Sequence, residues 1–197
     1  MAGSLIKIDE EIVSSAVASV DLGGSNWDSS YDVYMVKLNN VVPSTDGQSL
    51  YCRVLESGTP NTTANYDWAD KYFQVNTTFA NEAQTNNTQW NWQPAIGSST
   101  NESGQGIVYL FNFNNASEYN FLTTETTGID YPARLIGGQG GYVHKVSQNS
   151  SYSTSGLQGM KSIGVHKTAE QLSGFAITVN TGSLESITVK VYGLASN

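Results

Sequence analysis

The sequence predicts an all-β fold, and three observations lead to this prediction. Apolar and polar residues alternate near the C-terminal end of the chain, over residues 175–179 and again over residues 187–191, which is the pattern of half-buried strands. Charged residues make up only 13% of the chain, whereas exposed helix faces are usually built from Glu, Lys, Arg and Ala. Only residues 168–172 hint at a helical turn, and a single isolated turn is not stable in water.

Strand-like alternation begins close to the N-terminus and recurs along the chain. The first stretch places Ile12, Val20 and Leu22 on one face. The run 106–113 is the most apolar and is predicted to be a central strand, whereas residues 61–103, rich in Asn and Thr, are the least regular. The predicted strands cover residues 5–22, 31–38, 50–55, 106–113, 119–124, 133–136, 142–146, 174–179 and 184–194.

Turn signals separate these strands. Asp46-Gly47 favours positive φ angles, and the segment 180–183 (Asn-Thr-Gly-Ser) leads us to expect a closing β-hairpin between the last two strands. About eight to ten strands without linkers or repeats predict one antiparallel β-sandwich of jelly-roll type that spans residues 1–197.

The charge of the chain restricts its partners. Its formal net charge is −8 and its sequence pI is near 4.5, whereas binding to nucleic acid or to an anionic membrane surface requires a basic patch. No apolar run approaches the length of about 18 residues that a membrane span requires. We therefore expect neither nucleic acid nor a membrane as a partner.

The single cysteine, Cys52, excludes an intramolecular disulfide or a cysteine-based zinc cluster. It lies in the strand-like run Leu50–Val54, and free cysteines are usually buried as small apolar residues. We predict a buried, unreactive Cys52.

The sequence offers no convincing catalytic or cofactor motif. The two histidines, His144 and His166, have no Gly-x-Ser-x-Gly partner, and roles at a strand surface or interface are favoured over chemistry or metal binding. The glycine run 137–141 matches neither a dinucleotide fingerprint nor a P-loop. Acid pairs are available for glycoside cleavage, although sequence does not bring their members together: Asp67 with Asp70, Glu10 with Glu11, and Glu118 with Glu125. We predict no catalytic residue, no metal and no cofactor, and thus no enzyme.

Three tryptophans are the candidate contact residues. Trp90 and Trp92 share one face if their segment is extended, and Trp68 lies in an aromatic stretch upstream. A place in the sandwich core is favoured for them. The alternatives are a subunit interface or a glycan-binding surface, because exposed aromatic rings anchor proteins and stack on sugars.

Several blocks of the sequence follow one another in a distinctive order, namely residues 31–36, 43–50, 53–58, 106–109, 134–138 and 174–194. Taken in this order, these blocks resemble a family of small virion structural proteins of tailed bacteriophages, many from marine or aquatic hosts. The resemblance spans nearly the whole chain.

The resemblance implies a non-enzymatic structural protein on the exterior of a virion, located as a capsid decoration or knob protein or as a component of a short tail fibre. We expect a homotrimer that contacts other virion proteins, since symmetric assembly is usual for such parts. The alternatives are a tail-fibre subunit that binds a host surface glycan and, less favoured, a glycan hydrolase.

Overall fold

The computed structural model describes residues 5–28, 30–74, 79–129 and 156–194. The predicted strands at 133–136 and 142–146, the glycine run 137–141 and His144 lie outside these residues. Within them the fold is all-β, with two antiparallel sheets packed face to face as a sandwich, which confirms the predicted fold class.

Thirteen strands and one 3₁₀ turn at Gly24–Asn26 make up the described structure. The strands are β1 Leu5–Val13, β2 Val20–Gly23, β3 Val33–Pro43, β4 Gln48–Glu56, β5 Thr59–Pro60, β6 Tyr66–Gln74, β7 Phe79–Asn87, β8 Trp90–Ile96, β9 Gly104–Phe111, β10 Asn120–Ile129, β11 Leu157–His166, β12 Gly174–Val179 and β13 Leu184–Leu194. Among the described residues, no helix is long and apolar enough to cross a membrane.

Eight of these strands pair in the nested order of a jelly roll. Strand β1 pairs with β13, β2 with β12, β3 with β9, and β4 with β8. Strands β13 and β3 are also neighbours, as are β12 and β4, so that two four-stranded sheets form in the orders β1-β13-β3-β9 and β2-β12-β4-β8. The chain therefore rolls up from its two ends inward, which confirms the predicted jelly-roll architecture.

Two insertions widen the first sheet. Strands β10 and β11 follow β9, and β6 and β7 complete an eight-stranded sheet in the order β1-β13-β3-β9-β10-β11-β6-β7. The second sheet gains only the short β5, which pairs with the end of β4. As predicted, the apolar run 106–113 contributes a central strand, because β9 lies between β3 and β10.

The expected closing hairpin is wrong. Strand β12 belongs to the five-stranded sheet and β13 to the eight-stranded sheet, so that the turn at 180–183 crosses the sandwich instead of joining paired neighbours. The alternation correctly identified the buried side chains, since Phe175 and Ile177 are buried against the core, as are Val189 and Val191. Alternation reveals which face of a strand is buried, but it does not reveal the strand's hydrogen-bonded partner.

Two further predictions differ from the structure. Residues 61–103, expected to be irregular, contain three of the strands, β6, β7 and β8. Ile12 is 63% exposed whereas Val13 is buried, because β1 and β2 lie in different sheets and a bulge between Lys7 and Asp9 shifts the register of β1.

The core between the sheets is strongly aromatic. Trp27 stacks on Tyr34 with ring centroids 4.3 Å apart. Cys52 is free and fully buried, as predicted. The largest fully buried aromatic side chains are Trp90, Trp92, Tyr34, Tyr66, Phe113 and Phe175.

Candidate functional site

The three candidate tryptophans are core residues, which agrees with the favoured place in the sandwich core rather than with the alternative of an interface or a glycan-binding surface. Trp90 and Trp92 are 0% exposed and Trp68 is 6% exposed. The extended backbone of β8 does place Trp90 and Trp92 on one face, as expected, but that face points into the sandwich. The Nε1 of Trp90 donates a hydrogen bond to the carbonyl of Val165 at 3.2 Å. Because the ring is fully buried, it cannot stack on a sugar.

The acidic pairs considered for glycoside cleavage do not form facing carboxylates. Asp67 and Asp70 are three residues apart on β6, so they lie on opposite faces of the strand. Asp67 forms an ion pair with Lys167 at 2.8 Å, and Asp70 is buried. Glu10 and Glu11 are adjacent on β1 and therefore also diverge.

The members of the third acidic pair have separate partners. The Glu118 carboxylate accepts a hydrogen bond from the Asn112 side chain, whereas Glu125 forms an ion pair with Lys161 on the outward face of the sheet. Neither carboxylate is positioned by the other.

The buried carboxylate of Asp70 belongs to a hydrogen-bond network formed by residues of β6, β7 and β8. The Asp70 carboxylate accepts hydrogen bonds from the Tyr72 hydroxyl and from the Asn91 amide, each at 3.1 Å. The Tyr72 hydroxyl also lies 3.0 Å from the Glu82 carboxylate. Burial raises the pKa of Asp70 to about 7, and repulsion from Glu82 adds to the rise. Two carboxylates therefore face one hydroxyl group, which has a single proton to donate.

A second polar cluster combines the side chains Glu56, His166 and Glu170. One ligating atom from each of them lies within 4.8 Å of the others. The imidazole of His166 is 0% exposed, its Nδ1 lies 3.5 Å from Glu170 Oε1, and neither ring nitrogen makes a hydrogen bond. The predicted strand-surface or interface role of His166 is therefore wrong, since its ring faces the interior beside Tyr66 with centroids 4.7 Å apart.

Local structure fixes each member of this cluster. Glu56 ends β4 and precedes a tight turn in which Ser57 and Gly58 both have positive φ angles, 51° and 82°, as in a two-residue type I′ hairpin. His166 ends β11, where it pairs with Asn120 of β10 and with Tyr66 of β6. The cluster therefore joins the last residues of two strands that belong to different sheets.

Glu170 lies in the loop between β11 and β12, and hydrogen bonds hold this loop on both sides of it. The Lys167 N–H donates to the Asn65 carbonyl and the Leu172 N–H donates to the Phe113 carbonyl, each at 2.8 Å. The Asn120 side chain donates to the carbonyl of Glu170 itself at 3.4 Å. The loop thus places the Glu170 carboxylate reproducibly against the imidazole.

The protonation tendencies of the cluster follow from its burial. Burial lowers the pKa of His166, which favours the neutral imidazole that can ligate a metal. Burial, together with a hydrogen bond to the Glu56 carboxylate and repulsion from it, raises the pKa of Glu170 to about 7. The cluster thus combines two carboxyl groups with a neutral imidazole and contains no positively charged member. This is an unusual combination at the edge of a core.

The sequence pattern gave little indication of this cluster. His166 stands out as one of only two histidines, but Glu56 and Glu170 are separated by 114 positions (170 − 56) and belong to no motif. Only the crossing of the chain between sheets, which alternation does not predict, brings them together.

The outward face of the eight-stranded sheet carries a broad set of apolar side chains. In one cross-strand row Phe121 pairs with Phe111 on one side and with Val165 on the other. Phe121 is 44% exposed and Ile163, in the next row, is 62% exposed. We call this surface the outer apolar face and define it by Val33, Met35, Ile107, Tyr109, Phe111, Phe121, Ile163 and Val165.

Two ion pairs lie in the charged cross-strand row that contains Ile107 of the outer apolar face. Glu125 pairs with Lys161, and Glu10 pairs with Lys190 at 2.9 Å. An apolar surface with paired charges beside it resembles protein–protein contact surfaces in composition.

Comparisons of the chain with protein-family models, with curated proteins and with solved structures found no match.

Proposed function

We propose that this protein is a non-enzymatic structural component of the exterior of a tailed-phage virion, held in place by protein–protein contacts. In this proposal it is a capsid decoration or knob protein or a part of a short fibre, and it assembles as a homotrimer. The outer apolar face is the surface that buries against neighbouring subunits.

The single observation that carries the proposal is the outer apolar face itself. Monomeric proteins rarely expose large contiguous apolar patches, and such patches mark contact sites. Here the exposed Phe121, Ile107 and Ile163 lie on three adjacent strands at the middle of the widest sheet. Each of these strands is hydrogen-bonded to a neighbour on both sides, so the backbone of this surface is already formed before a partner subunit binds.

The jelly-roll frame is compatible with this role, since the architecture recurs in viral capsid proteins and in lectins. Fold alone does not determine function. The resemblance of the sequence blocks to virion structural proteins supports the capsid or tail setting over the lectin setting.

The glycan-binding alternative has lost the observation on which it depended, because Trp68, Trp90 and Trp92 are buried. The hydrolase alternative had rested on acidic pairs that the fold separates, as shown by Asp67 and Asp70 on opposite faces of β6. No observation among the described residues favours either alternative.

Immunogold electron microscopy of the virion, with antibody raised against this chain, tests the proposal. Label on the head would support decoration, and a copy number in the hundreds per particle on a stained gel should accompany it. Label on the tail would support a fibre component with tens of copies or fewer. Particles that carry no label, next to a labelled positive control for a coat protein, would contradict the proposal.

A further inference from the structure

The buried imidazole of His166 is the starting point for a binding site. Its side chain is 0% exposed, and both ring nitrogens lack hydrogen-bond partners. A buried polar group without a partner is costly, and in a native protein it usually has a partner that protein atoms do not supply. The ring is directed at two carboxylates, those of Glu56 and Glu170.

The geometry suits a single ion among these three groups. The ligating atoms lie within 4.8 Å of one another, and the Nδ1 of His166 is 3.5 Å from Glu170 Oε1. Ligands about 2.0–2.2 Å from a shared tetrahedral Zn²⁺ would be separated from one another by roughly 3.3–3.6 Å. A slight movement of the carboxylates would therefore complete such a shell.

We propose that Glu56, His166 and Glu170 bind one divalent transition-metal ion, with Zn²⁺ as the best match, and that this ion links the two sheets of the sandwich. A mixed set of imidazole and carboxylate ligands suits Zn²⁺ better than Ca²⁺ or Mg²⁺, which take oxygen ligands. Glu170 is 24% exposed, so water can reach the ion and supply the fourth ligand.

The position of the site gives the ion a structural role. Glu56 ends β4 of the five-stranded sheet, and His166 ends β11 of the eight-stranded sheet. Glu170 comes from the connection between the sheets, held by the hydrogen bond from Leu172 to Phe113. An ion bound here joins three segments at one end of the sandwich and stabilises the folded state, because the ligands are not assembled in the unfolded chain.

Isothermal titration of the metal-free full-length chain with ZnCl₂ tests the proposal, and thermal unfolding supplies a second readout. We expect one Zn²⁺ per chain and a Tm that rises by about 5–10 °C at a Zn²⁺ concentration roughly 100 times the Kd. Since the chain has two histidines, the ring signals in an NMR spectrum are few. Zn²⁺ should shift those of His166.

Matched variants locate the ion. Glu170→Gln and Glu56→Gln keep the size of the side chains and should each weaken Zn²⁺ binding about 100-fold or more. Glu10→Gln, on the edge strand β1 five strands away from β11, should leave it unchanged. The Glu56 and Glu170 variants remain informative if His166→Asn fails to fold. Absence of Zn²⁺ binding tighter than about 1 mM, or binding that persists in both the Glu56 and the Glu170 variant, would overturn the proposal.

Discussion

At the scale of single residues, the polar groups inside the sandwich are more informative than its exposed ones. Asp70 is 5% exposed and sits among Tyr51 of β4, Tyr72, Glu82 of β7 and Asn91 of β8. Burial raises its pKa to about 7. The folded state therefore binds this proton more tightly than the unfolded chain, in which the carboxyl has an ordinary pKa near 3.9.

The sign of the pH dependence follows from this raised pKa. The proton on Asp70 contributes stability that is present at about pH 4 and is lost as the pH rises towards 7, after which the dependence levels off. Asp70→Asn should keep the hydrogen bonds without the charge. We expect it to exceed the wild type in unfolding free energy by about 1–3 kcal/mol at pH 8, and to match it near pH 4.

Urea unfolding of Asp70→Asn and of the wild type from pH 4 to pH 8 checks this prediction. Glu170 also has a pKa raised to about 7. Glu170→Gln is therefore the control that shows how much of the pH dependence of the unfolding free energy comes from Glu170. A variant whose stability stays parallel to that of the wild type across this range would contradict the account of Asp70.

The tryptophans give a second prediction at this scale. Trp90 is fully buried, packs edge-on against Tyr66 with centroids 5.0 Å apart, and donates to Val165. We expect Trp90→Ala to lower the unfolding free energy by about 3–5 kcal/mol through the cavity it leaves. Trp90→Phe, which retains most of the packing, should cost less. Measured by urea unfolding, a loss below about 1 kcal/mol for Trp90→Ala would show that the ring is not a core residue.

At the scale of elements, alternation predicts which face of several strands is buried, but it predicts neither all of the strand boundaries nor the strand partners. Phe175, Ile177 and Val189 are buried as the sequence predicts, yet the strands β12 and β13 belong to different sheets. The four-residue turn suits a crossing of the roughly 10 Å between packed sheets as well as it suits a hairpin. Local pattern therefore predicts the core face, whereas the jelly-roll order depends on long-range pairing that no short segment encodes.

The limits of local sequence pattern also explain why the sequence does not predict β7. The strand β7 exposes Asn and Thr side chains and has only partly buried residues on its other face, so its sequence lacks the apolar alternation that signals a strand. As an edge strand it needs little apolar surface. The sequence does not predict the cluster of Glu56, His166 and Glu170 either, because its members meet only after the sheets have formed.

A prediction at this scale concerns the pairing of β2 with β12. Gly23 and Gly174 are direct partners, with φ angles of 125° and 141°. A Cβ atom at Gly174 would lie 2.1 Å from the Leu22 carbonyl oxygen. We expect Gly174→Ala to destabilise the fold by about 3 kcal/mol or more, since both the backbone angle and the close approach oppose it.

Gly24→Ala is the matched control for this prediction. Gly24 also has a positive φ angle, 63°, but a Cβ atom there would contact nothing within 4 Å. Its replacement should cost only about 1 kcal/mol, as expected for the left-handed conformation alone. Equal losses for the two variants in urea unfolding would contradict the close approach of β2 and β12.

At the scale of the whole molecule, the two faces of the eight-stranded sheet have different surroundings. The inner face forms the sandwich core, and the outer apolar face exposes Ile107, Phe121 and Ile163 to solvent. The frame strands β3 and β9 supply five residues of this face, and the inserted strands β10 and β11 extend it with Phe121, Ile163 and Val165. We interpret the widened sheet as the feature that adapts a common architecture to assembly.

The central claim is that the outer apolar face holds copies of this protein together. The most direct test is the molar mass of the purified chain in solution, measured by light scattering after size exclusion, for the wild type, Ile163→Lys and Ile12→Lys. Both isoleucines are similarly exposed, 62% and 63%, but Ile12 lies on the edge strand β1 outside the outer apolar face. The account predicts a trimer for the wild type and for Ile12→Lys, and a folded monomer of 21.2 kDa for Ile163→Lys. A monomeric wild type, or a trimer that Ile163→Lys leaves intact, would contradict it.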